Sequence, residues 1–253
     1  MGGALERTRP MLRQIVEDAR LSYEEISVRV KPLTPEEAIG TPGRRDFPIL
    51  LGKERVIEAR VAGSRGHAFT DTARDFSGLL SEVLDLDLEG NGQRAIYTAT
   101  MNATLRHVGR LQGVLHCRDE DPERCGAMIA GTLFERFPEP RVGLIGLNPA
   151  IADHLVRKFG ADRVRITDLD QTNIGTSKHA VEVWNGETQA ERLIDAVDVV
   201  LLTGTTLING TFDPIWGWIT EHGKTGLVYG VTAAGVCELL GYERICPCAR
   251  DWD

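Results

Sequence analysis

The stretch Val142-Gly143-Leu144-Ile145-Gly146-Leu147-Asn148-Pro149 constrains this chain more than any other. Its first residues suit a buried strand. Asn148 suits a helix N-cap, and Pro149 suits the first helical position, where a missing N–H costs nothing. A strand that runs straight into a helix leaves unpaired N–H groups and the positive end of a helix dipole at the strand's carboxyl edge. In an open parallel sheet that edge is where ligands bind. The junction therefore predicts a small, partly anionic ligand held at a sheet edge.

The pattern on either side of this junction differs. Before it, strand periods at 26–30 and 56–62, with a return at 67–70 after Gly63-Ser64-Arg65-Gly66, are followed by helical patterns at 76–84, 94–108 and 122–137. A further helix is expected over 4–20, and the proline- and glycine-rich segment 32–48 reads as a loop or lid. After it, strands at 142–146, 163–168, 198–203, 226–230 and 243–246 alternate with helices at 151–159, 187–196, 212–222 and 233–240. Grouped elements suggest α+β and alternating ones suggest α/β with a mainly parallel sheet. Pro138-Glu139-Pro140 is the best boundary. The expected fold is thus α/β: a smaller α+β domain over 1–138, then a Rossmann-like, mainly parallel sheet domain over 139–253.

Composition narrows the partners. A net charge of −8 over 253 residues, with no basic stripe carrying aromatics, argues against nucleic acid. No apolar run approaches the roughly 20 residues of a membrane helix. The first 20 residues are charged throughout, unlike a secretory leader. Five cysteines in such a chain predict reduced thiols and a cytoplasmic setting. The expected partner is a small molecule, and assembly into a homo-oligomer stays open.

Candidate ligand contacts cluster after the predicted parallel strands. Gly146 and Asn148 mark the first turn, although the full three-glycine dinucleotide fingerprint is missing. Asp168 ends the second strand 22 residues after Gly146, near the offset at which an acid meets a ribose hydroxyl, with Asp170 as a neighbouring alternative. Gly204, Thr205, Thr206 and Asn209 belong to a polar loop after the most apolar strand, suited to carboxylate or phosphate oxygens. Thr211 and Asn209-Gly210 equally serve as a cap and a turn. His116-Cys117, with Cys125 eight residues on, is the main metal candidate, because imidazole and thiolate favour transition metals. The spacing matches no zinc ribbon or finger, so buried structural thiols are the competing account. Cys246-Pro247-Cys248 poses the same choice, and His67 beside Asp71 reads as structural. No nucleophile elbow, His-Glu-x-x-His or Walker loop is present.

Several segments together carry a resemblance: Ser64 to Asp71, Met101-Asn102-Ala103, His116-Cys117-Arg118-Asp119, Val142 to Gly146, and Leu202 to Thr211. They are similar to an uncharacterised prokaryotic family labelled a heavy-metal chelation domain, with its N-terminal companion. The resemblance spans most of 20–248 and implies an enolase N-terminal-like domain packed on a Rossmann-like one, with a cleft between them. The leading reading is a protein that binds or chelates a transition metal or a metal-bearing small molecule. Asn102, His116 and Cys117 would line the cleft from one side, and Thr205, Thr206 and Asn209 from the other. The rival is an enzyme using an adenosyl cofactor, S-adenosylmethionine or a nicotinamide nucleotide, with Asp168 on the ribose.

Overall fold

The computed structural model describes residues 2–251, and their strands assemble into a four-stranded and a seven-stranded sheet. Helix α1 (Ala4–Asp18) leads into β1 (Ser27–Pro32), the short α2 (Pro35–Ile39), β2 (Arg55–Val61), β3 (Ser64–Thr70) and β4 (Phe76–Leu79). These four strands are antiparallel in the order β3-β2-β1-β4. β1 alternates exposed and buried residues, so Val28 and Val30 face the core. Ala62 and Gly63 connect β2 to β3 with φ of 47° and 86°, the left-handed pair that a two-residue hairpin turn needs. Helices α3 (Leu80–Leu84) and α4 (Asn91–His107) follow.

Helix α4 is buried along most of its length, from Ala95 to Leu105. One side lies on β2 and β3, so closely that a Cβ on Gly66 would stand 2.4 Å from the Ala103 backbone nitrogen. The other side is covered by α1 and by elements from the second half of the chain. A helix enclosed on both sides carries apolar residues all round and shows little amphipathic contrast.

Helix α5 (Asp121–Arg136) leads to the second sheet, formed by β5 (Val142–Ile145), β6 (Val164–Asp168), β7 (Ser177–Lys178), β8 (Val181–Asn185), β9 (Val199–Thr203), β10 (Thr225–Tyr229) and β11 (Arg244–Ile245). Its helices are α6 (Pro149–Phe159), α7 (Gly186–Ala196), α8 (Thr206–Asn209), α9 (Phe212–Glu221) and α10 (Ala234–Leu240). The order is β11-β10-β9-β5-β6-β8-β7, all parallel except β7 at the edge. Strand order reverses between β5 and β9, which opens a crevice at their carboxyl ends. α5 and α6 pack together beside the apolar residues of β5, β6 and β9. A second apolar cluster runs without a break from the antiparallel sheet through α4 to α7, α9 and α10. Among the described residues no helix is long and apolar enough to cross a membrane.

The sequence reading of an α/β chain with an antiparallel set followed by a parallel-rich sheet holds, with four local corrections. Residues 76–79, expected as helix, form β4, because pairing with β1 extends the sheet there. The segment 32–48 contains α2, set by a capping box in which Glu37 N–H donates to Thr34 Oγ1 at 3.1 Å and Thr34 N–H to Glu37 at 2.8 Å. β7 and β8 lie in a stretch where no strand was expected. The polar loop after β9 is a helical turn, α8.

Asn102, expected on the ligand wall, is fully buried in α4. Its amide donates to the carbonyls of His67 at 2.9 Å and Val231 at 3.1 Å, and its Oδ1 accepts the Gly235 N–H at 2.8 Å. It fastens β3 and the start of α10 to one helix. Asn102→Ala strands two carbonyls and one N–H in the interior. An expected loss of about 2–4 kcal/mol follows, at 1–3 kcal/mol for each buried group left unpaired and partial relaxation. Urea unfolding measures it, and a loss below about 1 kcal/mol would contradict the fastening role.

Candidate functional site

A cavity of about 570 Å³ lies at the carboxyl ends of β5, β9 and β10, closed on its far side by β3 and by the segment that follows α2. Gly146 begins its sheet-side wall with φ +86°, and a Cβ there would stand 2.4 Å from Thr203 Cγ2. The Gly146 carbonyl accepts the Tyr229 hydroxyl at 2.7 Å, which ties the ends of β5 and β10 together.

Of the residues expected from sequence, Gly146, Asn148, Asp168, Gly204, Thr205, Thr206 and Asn209 all border this cavity, as do His116 and Cys117. Asn102 does not, because it is spent inside the core. Many of their polar atoms are already committed. Asn148 Oδ1 caps α6, accepting from Ala150 and Ile151 N–H at 3.1 Å each. Asp168 accepts from Asp170 N–H at 2.8 Å, Leu147 N–H at 3.1 Å and Asn173 at 3.3 Å. The Thr206 hydroxyl donates to the Thr203 carbonyl at 2.6 Å, and Asn209 Oδ1 accepts from the Thr211 hydroxyl at 2.7 Å. What remains beside the space is the Thr203–Thr205 hydroxyl pair, 3.1 Å apart; the Thr167 hydroxyl is fully buried and without a partner among the described residues.

Glu54 escaped the sequence reading, since no motif or periodicity surrounds it. It lines the cavity and its carboxylate makes no hydrogen bond or ion pair among the described residues. Burial, helped by the neighbouring Asp168 and Asp71, pushes its carboxyl up to about 7.

Part of the lining is rich in sulfur. Cys117 arrives on the segment after α4, Cys125 on α5 and Cys246 just past β11, and all three line the cavity beside His116. Cys125 interacts with both of the other thiols. Cys117 and burial push Cys125 up, and Cys125 and burial push Cys246 up. His116 packs edge-on against Phe69 with ring centroids 4.9 Å apart, and burial pushes it down, so its ring is neutral. Its Nε2 lies 4.0 Å from Cys117 Sγ. Among the described residues no group of three or more His, Cys, Asp or Glu side chains is placed to hold a metal ion. Cys248 lies outside this wall, against Met128 Sδ at 3.8 Å. His67 serves the structure. Its Nδ1 accepts the His116 N–H at 3.1 Å, which leaves Nε2–H to donate to Glu58 at 3.3 Å.

Residues 130–242 match the DUF364 family. Its description reads "Putative heavy-metal chelation". That segment runs from α5 to the end of α10 and includes the sheet-side wall of the cavity. A DUF364 protein of unknown function from Pyrococcus horikoshii superposes with a TM-score of 0.52 at 14% identity, over 92% of this chain and 80% of that one. At that identity the likeness concerns the fold. A DUF364 protein from Desulfitobacterium hafniense gives a TM-score of 0.49 at 13% identity, over 74% and 72% of the two chains. In sequence, the swarming motility regulation sensor protein RssA of Serratia marcescens is 26% identical over 195 residues. The match covers 76% of this chain but only 40% of that relative's length.

Glu54 makes the site sensitive to pH. A carboxyl raised in the folded state costs stability once it ionises, so the penalty is absent below the unfolded value of 4.5 and grows to completion as pH passes about 7. Glu54→Gln is therefore expected to match the parent near pH 4 and to exceed it by on the order of 1–3 kcal/mol at pH 8. Thermal unfolding of both proteins across that range checks this, and a difference that does not change with pH would contradict it.

Proposed function

We propose that this protein binds a transition-metal ion, free or carried by a small molecule, in the cavity between its two sheets. The supporting observation is that Cys117, Cys125, Cys246 and a neutral His116 line one cavity, with Cys246 supplied from more than 100 residues further along the chain. The Cys125 and Cys246 thiols resist ionising, because a buried thiolate there would lose water beside its neighbour's sulfur. A soft cation supplies the positive charge that lets them ionise, so binding releases protons and strengthens as pH rises. Sulfur and imidazole together select zinc, copper(I) or similar ions over magnesium or calcium.

On this reading the wall is an open set of donors whose shell is completed by the incoming molecule. Glu54 and the Thr203–Thr205 pair at the sheet side would then hold that molecule's polar end. The two lobes would be residues 1–138 and 139–253, with His116, Cys117 and Cys125 from the first and Cys246 from the second. The description of the matching family agrees with a chelating role. The adenosyl-cofactor reading has less support, because Asp168, its ribose ligand, already accepts three hydrogen bonds from its own loops.

The test is metal content after incubating untagged protein with zinc or copper(I) and dialysing. We expect near-stoichiometric retention in the parent and a loss of most of it in Cys117→Ser and in Cys246→Ser. Cobalt(II) substitution adds a second readout, since thiolate ligation gives near-ultraviolet charge-transfer absorption that both variants should weaken. Unchanged metal content in a Cys117→Ser, Cys246→Ser double variant with parental stability would overturn the proposal.

A further inference from the structure

On the other side of His116 lies a second cavity, of about 380 Å³, which opens against the antiparallel sheet. In a chain of net charge −8 its lining runs against the trend, with five cationic side chains and three carboxylates. Two of these carboxylates are committed among the described residues. Glu37 is taken up by Lys31 at 3.2 Å and by its capping box. Glu58, 2% exposed, is shared by Arg60 at 2.8 Å, Arg65 at 3.3 Å and His67 at 3.3 Å. The third, Glu36, is an exposed residue whose backbone carbonyl, and not its carboxylate, accepts from Arg118 at 3.0 Å.

Two guanidiniums are left without a carboxylate. Arg118 Nε is buried with no hydrogen-bond partner among the described residues. Arg250 makes no side-chain hydrogen bond or ion pair among the described residues, although its position is fixed. Its backbone pairs with Leu115 in both directions, at 2.8 and 2.9 Å, which delivers its side chain to the cavity. The charge of both guanidiniums is left without a carboxylate among the described residues, and a bound anion would supply the opposite charge. Planar guanidiniums converging on one space are suited to paired oxygens, as in a carboxylate or phosphate.

We propose that this cavity is a binding site for a small oxyanion, phosphate or dicarboxylate, gripped by Arg118 and Arg250. The site stands apart from the metal reading, because neither arginine borders the thiol cavity. His116 is common to both linings, so an anion held here would sit behind the imidazole that faces the thiols.

Titration calorimetry at low ionic strength, with inorganic phosphate and with malonate as probes, tests it on the full chain. Saturable binding of at least one probe is expected, and the tighter of the two identifies the ligand as a phosphate or a dicarboxylate. Arg118→Gln and Arg250→Gln should each weaken that binding by about tenfold, the effect of losing one charge-assisted hydrogen bond. Arg118→Lys, which keeps the charge, should recover part of the loss, and Arg110→Gln, exposed and outside both cavities, should leave binding unchanged. No saturable binding of either probe would overturn the proposal. So would equal affinity in the parent and in folded Arg118→Gln and Arg250→Gln, or an equal loss in Arg110→Gln.

Discussion

Asn102 is the point on which the two sheets are referred to each other. Its amide reaches β3 in one sheet and the connection from β10 to α10 in the other, so a single buried side chain sets the spacing across the cavity. Thr232 adds to the same seam, accepting the Phe69 N–H at 3.0 Å. Apolar packing around α4 supplies most of the driving force, but it is non-directional. The hydrogen bonds of Asn102 specify register, because each has one geometry in which no buried group is left unpaired.

With that register fixed, the cavity acquires two chemically distinct walls. The sheet side offers hydroxyls, the Asp168 carboxylate and glycines that let backbone approach, and Glu54 adds a carboxyl from the segment before β2. The other side offers three thiols and an imidazole. Neither wall is built from one local motif, and the sulfur side draws on residues separated by more than half of the chain. His116 stands where this wall meets the cationic cavity behind it, so one imidazole joins a soft-donor environment to an oxyanion-seeking one. The segment that carries Cys246 also carries Arg250 four residues later, and its pairing with Leu115 positions both.

Local signals in the sequence were legible where one physical rule dominated. Asn148-Pro149 announced α6 because an N-cap acceptor and a proline without an N–H both fit only a helix start. The unbroken apolar runs at β5 and β9 announced buried parallel strands for the same kind of reason. Where two rules competed, the tertiary context chose. Phe76-Ser77-Gly78-Leu79 carries a weak preference, and the open edge of β1 made it a strand. The polar residues 205–209 looked free to grip a ligand, yet most of their hydroxyls and amides are spent on α8 and the turn after it.

The sequence by itself determined the fold class, the carboxyl edge at which a cavity would form, and the soft-donor character of His116 and Cys117, because each follows from side-chain chemistry within a few residues. Only the tertiary structure decided which distant groups join them. Cys246 joins Cys117 and Cys125 in one cavity lining because the segment after β11 packs beside the parallel sheet. Glu54 becomes unusual because folding half-buries it beside two other carboxylates. Asn102, polar in a helix, reads as a ligand contact in one dimension and is a fastening in three, since its role depends on two carbonyls and an N–H far away along the chain.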